Sequence, residues 1–185
     1  MLNIDKYPAL VWLDLEMTGL DPDSERIIEI ATAVTNSDLS EIIEGPNLII
    51  NQPEGFLLGM DEWNTIQHGK SGLIDQVKIS KMKVKEAEQL TLQFLKKHTT
   101  AGRSPLCGNS ISHDRKFLTL YMPELENFFH YRNLDVSSIK EVAKRWFPDS
   151  LDNFKKEGGH RAMVDILESI EELKYYKNVL FKDTI

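Results

Sequence analysis

The segment LVWLDLEM, residues 10–17, is an apolar run carrying two carboxylates one residue apart. Side chains alternate along a strand, so Asp14 and Glu16 share a face with Trp12, while Leu13 and Leu15 point the opposite way. The flanking Val11, Leu13 and Leu15 argue against a solvated sheet edge, because carboxylates set among such neighbours are withdrawn from water. Alternate Cβ atoms lie about 6–7 Å apart. Like charges held that close and partly desolvated raise each other's pKa unless a cation lies between them. The stretch asks for a metal.

Two more strand-like segments follow at short range. RIIEIATAVT and EIIEGPNLIINQ are rich in Ile and Val over residues 27–34 and 42–50, and the turn GLDPDSE joins the first to LVWLDLEM. Three short-linked strands form a meander. Beyond a glycine-bearing region, in which extra helical turns are allowed between residues 55 and 75, residues 80–98 place Val84, Ala87, Thr91 and Phe94 at helical spacing. SPLCGNS reads as a short buried strand and SHDRKFLTLYM as a helix whose end Pro123 marks. YRNLDVSSIKEVAKRWFP repeats that strand-to-helix order, and a long helix over 160–180 carries Ile166, Ile170 and Leu173 on one stripe. Strands followed by alternating strands and helices predict an α/β fold, a mixed sheet flanked by helices.

A length of 185 residues fits a single domain, residues 1–185, able to bury a substantial core. Cys107 is the lone cysteine, so no internal disulfide forms, and it reads as a small buried hydrophobe. MLNIDKYPAL lacks the pattern of a secretory signal and no apolar run is long enough to span a bilayer, which predicts a cytoplasmic protein without membrane contact. With 29 acidic against 22 basic residues the net charge is −7, a balance opposed to a long nucleic-acid groove but compatible with a small phosphorylated substrate.

Other carboxylates stand ready to join the first pair. CGNSISHDRKFL places Asp114 at the start of a helix, and GGHRAMVDI places His160 after two glycines with Asp165 one turn inside the last helix. Asp14, Glu16, Asp114 and Asp165 supply hard oxygen ligands for two divalent cations, Mg²⁺ or Mn²⁺, in two-metal phosphoryl chemistry. His160, left free of metal, suits proton removal from an attacking water. His113 adjoins Asp114, but neighbouring helical residues diverge by about 100°, which gives it a structural or solvent-facing role. His98 and His130 read as surface or packing residues.

The segments DLEMTGL, CGNSISHDRKFL and HRAMVDI resemble, in order and spacing, the three motifs of the DEDDh 3′→5′ exonucleases, whose fold is ribonuclease-H-like. WLDLEMTGLDP, MDEW, CGNSI and FHYRNLDVSSIKE narrow the resemblance to the oligoribonuclease family over roughly residues 8–180. It implies a five-stranded mixed sheet and a homodimer that releases 5′-mononucleotides from very short RNA, dinucleotides above all. It implies Asp14, Glu16, Asp114 and Asp165 as metal ligands and His160 as general base. Leu20 matches an apolar wedge between the two bases, and Trp63 and His68 match residues lining the base pocket. Ser110, Arg132 and Ser137 match a cap over the 5′ phosphate, and Tyr131 an aromatic that reaches the neighbouring subunit's site. Val164 departs from the family, standing where many relatives carry an acid beside Asp165. Two other readings stay open: an exonuclease acting on DNA 3′ ends, and a nucleotide-binding protein on a catalytically retired nuclease fold.

Overall fold

The computed structural model describes residues 7–150 and 160–181. Strands β1 (Leu10–Met17), β2 (Ile27–Thr35) and β3 (Ile42–Ile49) are followed by helices α1 (Glu54–Leu58), α2 (Glu62–Lys70), α3 (Leu73–Ile79) and α4 (Val84–Leu95). Strand β4 (Leu106–Gly108), helices α5 (Ser112–Tyr121) and α6 (Pro123–Glu126), strand β5 (Asn133–Asp135) and helices α7 (Val136–Trp146) and α8 (Ala162–Leu180) complete the order. A 3₁₀ turn over Pro148–Ser150 follows α7.

The five strands form one sheet in the order β3-β2-β1-β4-β5. The predicted meander is antiparallel, β1 pairing with β2 and β2 with β3, whereas β4 and β5 run parallel to β1. Parallel pairing needs a crossover, and the helices supply it. One core lies under α4, α5 and α6, where Val11, Leu13 and Leu15 pack with Leu95, Phe117 and Leu125. The other lies under α7 and α8, where Trp12, Ala31 and Ala33 meet Val136, Ala143, Ile166, Ile170 and Tyr176. Trp12 is fully buried and its indole nitrogen donates to Thr35 Oγ1 at 3.1 Å. The face shared by Trp12, Asp14 and Glu16 is therefore the one that α8 covers.

Two expectations need amending. The glycine-bearing stretch holds three helices, not a loop with scattered turns. Asp61 caps α2 by accepting from the Asn64 amide at 2.7 Å, and Gly72 opens α3 from the left-handed region at φ 70°. Few apolar positions repeat there because Leu57, Met60, Leu73 and Val77 share one small core with Ile28. Pro123 marks the end of α5 as expected, one residue beyond the Met122 C-cap, and it is also the first residue of α6, a position where its missing N–H costs nothing. The helix expected over 80–98 is shorter, Val84–Leu95, with Ala87 and Thr91 buried on its inner face.

Candidate active site

Asp14 and Glu16 project from β1 toward α8, and Asp165 meets them from the first turn of that helix. One oxygen from each of these three carboxylates lies within 4.8 Å of the others. Asp114, on the first turn of α5, is stitched to the same strand: its Oδ1 accepts the Leu15 amide at 3.0 Å, between the two strand acids. It stands beside Asp14 but outside the tightest trio. The four carboxylates come from three elements far apart in sequence.

Their electrostatics match the crowding. Burial, followed by the charges of Asp114, Glu16 and Asp165, pushes the Asp14 carboxyl well above the usual range. Glu16 is pushed up to about 8, first by burial and then by Asp165, Glu29 and Asp114, with Arg161 opposing. Asp114 rises to about 7 through burial, although the Leu15 amide favours its charged form. Carboxylates that each resist ionising next to the others form a donor set that a divalent cation stabilises, and their hard oxygens suit such a cation. The donor chemistry fits divalent-metal binding.

His160 lies just before α8, in the left-handed region at φ 45°, a conformation that costs a non-glycine residue of order 1 kcal/mol and clusters at functional sites. Its ring meets the edge of Trp63 from α2 at 5.4 Å between centroids, and Trp63 itself is 57% exposed. His68, on the same helix, is buried at the carboxylates. Its Nε2 bonds the Met17 carbonyl at 2.9 Å and its Nδ1 faces Glu16 at 3.9 Å without a hydrogen-bond partner. Burial, opposed by that carbonyl bond, holds the His68 pKa down, so Nε2 carries the proton and Nδ1 the lone pair.

The remaining positions divide into two groups. Ser110 and Ser137 meet, Oγ to Oγ, at 3.2 Å, and the Ser110 amide donates to Asp135 Oδ1 at 3.0 Å while Ser110 itself sits at φ 52°. Tyr131 and Arg132 are placed elsewhere. They precede β5, whereas Ser137 follows it, so one strand's length separates Arg132 from the serines. The Arg132 guanidinium stacks back over the Tyr131 ring at 5.3 Å, and Tyr131 is 73% exposed. Within one chain, then, the structure brings the two serines together but not Arg132 with them. Leu20 stands 72% exposed at the tip of the turn after β1. His113 has a lowered pKa from burial and packs on Phe117 at 5.7 Å, away from the acids.

Sequence reasoning passed over several residues that shape the site. Glu29 on β2 is fully buried opposite Glu16 and is gripped by Arg161. Its signal was available: it is the one acid in RIIEIATAV and shares a face with Ala31 and Ala33. Asn109 links Ser137 to α8, accepting from Ser137 Oγ at 2.9 Å and donating to Ser169 Oγ at 2.7 Å and Glu172 Oε2 at 3.1 Å. No local pattern announces that partnership, because its members lie 28, 60 and 63 residues away.

Known proteins bear on this geometry. A family model described as exonuclease matches residues 11–173. The oligoribonuclease of Bordetella pertussis is 58% identical over 173 residues, covering 94% of this chain and 96% of that protein. That of Shewanella loihica is 56% identical with the same coverage. Among solved structures, E. coli exonuclease I in complex with a dA16 oligonucleotide superposes with a TM-score of 0.67 at 14% identity, over 94% of this chain. The present chain spans only 41% of that protein, a likeness of fold alone. An exonuclease sheet carrying this acidic cluster, together with identity of this order along nearly the whole length, places the chain in the oligoribonuclease family of exonucleases.

Proposed function

We propose that this protein is a 3′→5′ exoribonuclease that degrades very short RNA, dinucleotides above all, to 5′-mononucleotides. The observation that carries the reading is the carboxylate trio of Asp14, Glu16 and Asp165, with His160 just before the helix that carries Asp165, in a chain so similar to oligoribonucleases. Asp14, Glu16, Asp114 and Asp165 would hold two divalent cations, Mg²⁺ or Mn²⁺. When bound, such cations stabilise the attacking and leaving oxygens of an in-line displacement at phosphorus.

The chain's own residues do the rest. His160 accepts the proton of the attacking water, its ring held edge-on by Trp63. Leu20 inserts between the two bases, and exposed Trp63 offers the terminal base a stacking face. His68 presents its free Nδ1 lone pair where the 3′ end of the substrate meets Glu16, an acceptor for a substrate hydroxyl. Ser110 and Ser137 hold the 5′ phosphate.

Arg132 joins that cap from a second copy. Its place at the far end of β5, stacked on Tyr131, supports a homodimer in which Tyr131 and Arg132 reach the partner's serines together. β5 is the last strand of the sheet, and α7 with its C-cap exposes Val142, Trp146 and Phe147, an apolar face of the kind that associates. A cap closed by another subunit limits substrate length, and it explains how a chain of net charge −7 handles RNA without a long basic groove. Among the described residues no helix is long and apolar enough to cross a membrane.

The test is hydrolysis of 5′-labelled RNAs of two, three, seven and about twenty nucleotides, and of a long single-stranded DNA, with Mn²⁺, Mg²⁺ or EDTA. Fast metal-dependent cleavage that peaks at the dinucleotide is the expected result. Equal or better cleavage of the longest RNA or of the DNA overturns the dinucleotide assignment. Absence of hydrolysis with every cation overturns the enzyme reading.

A further inference from the structure

The segment that carries His160 and Asp165 into the site is held by a buried ion pair that belongs to none of the roles above. Arg161, between the two, forks onto Glu29 with its Nε and Nη2 at 3.1–3.2 Å, and Nη2 also donates to Gln76 Oε1 at 2.9 Å. Glu29 is fully buried in β2, directly across from Glu16. The Ala162 amide, at the start of α8, approaches the same carboxylate at 3.4 Å, and the Arg161 carbonyl accepts the Asp165 amide at 3.0 Å. The Glu29–Arg161 pair thus ties β2, α3 and the entry to α8 at the point where the backbone takes the left-handed turn of His160.

We propose that Glu29 and Arg161 are positioning residues for catalysis: their fork locks the residue-160 turn so that the His160 imidazole faces the attacking water. The proposal rests on His160 being the general base. Stability alone gives little reason for the pair, since Glu29 is fully buried and Arg161 largely so, their desolvation is costly, and a well-packed apolar pair often serves as well. A fork is the arrangement that fixes direction, because the guanidinium binds a carboxylate in one plane at two points. A lysine, a single point charge, keeps the attraction and loses the direction.

The experiment compares wild type, Glu29→Gln, Arg161→Lys, His160→Ala and the Glu29→Gln/His160→Ala double variant, with Mn²⁺ and an RNA dinucleotide. Steady-state kinetics and thermal melting are read on each. The expected result is that Glu29→Gln and Arg161→Lys each lower kcat about 10- to 100-fold, with KM within about threefold of wild type and a cooperative melt retained. In the His160→Ala background the further loss from Glu29→Gln shrinks below about threefold, because the residue through which it acts is gone.

Three results overturn the proposal: kcat within threefold of wild type in both single variants, an undiminished Glu29→Gln penalty without His160, or loss of activity in step with loss of folded protein. Failure of the underlying reading has a separate signature. His160→Ala then turns over at the wild-type rate, an outcome visible before either member of the ion pair is changed.

Discussion

At the scale of single residues the site is built against stability. Asp14, Glu16 and Asp114 all have raised pKa values, so the folded, metal-free protein binds protons that the unfolded chain releases near pH 4. Such groups stabilise the fold fully below their unfolded pKa and lose that contribution as pH rises through the folded values, about 7 for Asp114 and about 8 for Glu16. In EDTA the melting temperature falls between pH 5 and 8, and added Mn²⁺ restores most of the loss at pH 8. Calorimetry at both pH values checks this, and a flat profile in EDTA refutes it. By the same logic Asp14→Asn removes a disfavoured charge: it raises the melting temperature of the metal-free protein while reducing turnover by at least about 10³-fold. Full activity in the Asp14→Asn variant removes Asp14 from the metal set. With His160 as the proposed general base, deleting its side chain should cost about 10²–10⁴ in kcat with little change in dinucleotide affinity, since a base acts mainly in the transition state.

At the scale of elements, close approaches between strands, helices and turns hold the site's frame. Gly45 of β3 faces Phe94 of α4, and a Cβ there would lie 2.4 Å from the Phe94 ring. Gly45→Ala therefore destabilises the fold by about 1–3 kcal/mol, measured by urea denaturation, with the active site's KM unchanged. The Leu20 turn is held differently. The Tyr121 hydroxyl on α5 lies 2.6 Å from the Pro22 carbonyl, accepts from Arg26 Nη1 at 2.6 Å, and Thr18 Oγ1 donates to Glu25 at the turn's base. Tyr121→Phe loosens that turn, raising KM for a dinucleotide roughly three- to tenfold at nearly constant kcat, as expected from about 1 kcal/mol of lost hydrogen bonding. A KM that does not move separates the turn's order from substrate binding. Both contacts span long stretches of chain, which is why neither Gly45 nor Tyr121 stands out in the sequence, whereas the strand acids do.

At the scale of the whole molecule, the edge position of β5 is where the proposed sharing of a site between subunits is tested. With Arg132 before that strand and Ser137 after it, an isolated chain would leave the proposed phosphate cap open. Tyr131→Ala and His160→Ala homodimers should each be nearly inactive on the dinucleotide. Under the proposed shared site, mixing them with subunit exchange restores activity, because the heterodimer would contain one site with an intact His160 and the partner subunit's intact Tyr131. Sedimentation of the two variants confirms that they remain dimers, and an inactive mixture rules out a site shared between subunits.

The amino-acid sequence by itself determined the pattern that local periodicity can express. Alternation in LVWLDLEM put two acids on one face, Ile- and Val-rich runs marked the meander, and the HRAMVDI segment set His160 and Asp165 one turn apart. These are statements about neighbours in the chain, and the structure leaves them standing. Only the tertiary structure decided that Asp165 arrives within 4.8 Å of the strand acids, that buried Glu29 is held by Arg161 132 residues away, and that Arg132 and Ser137 lie at opposite ends of one strand. The physical reason is that such placements depend on sheet order and helix crossover, which are set by the burial of two apolar faces across the whole chain and not by any short stretch of it.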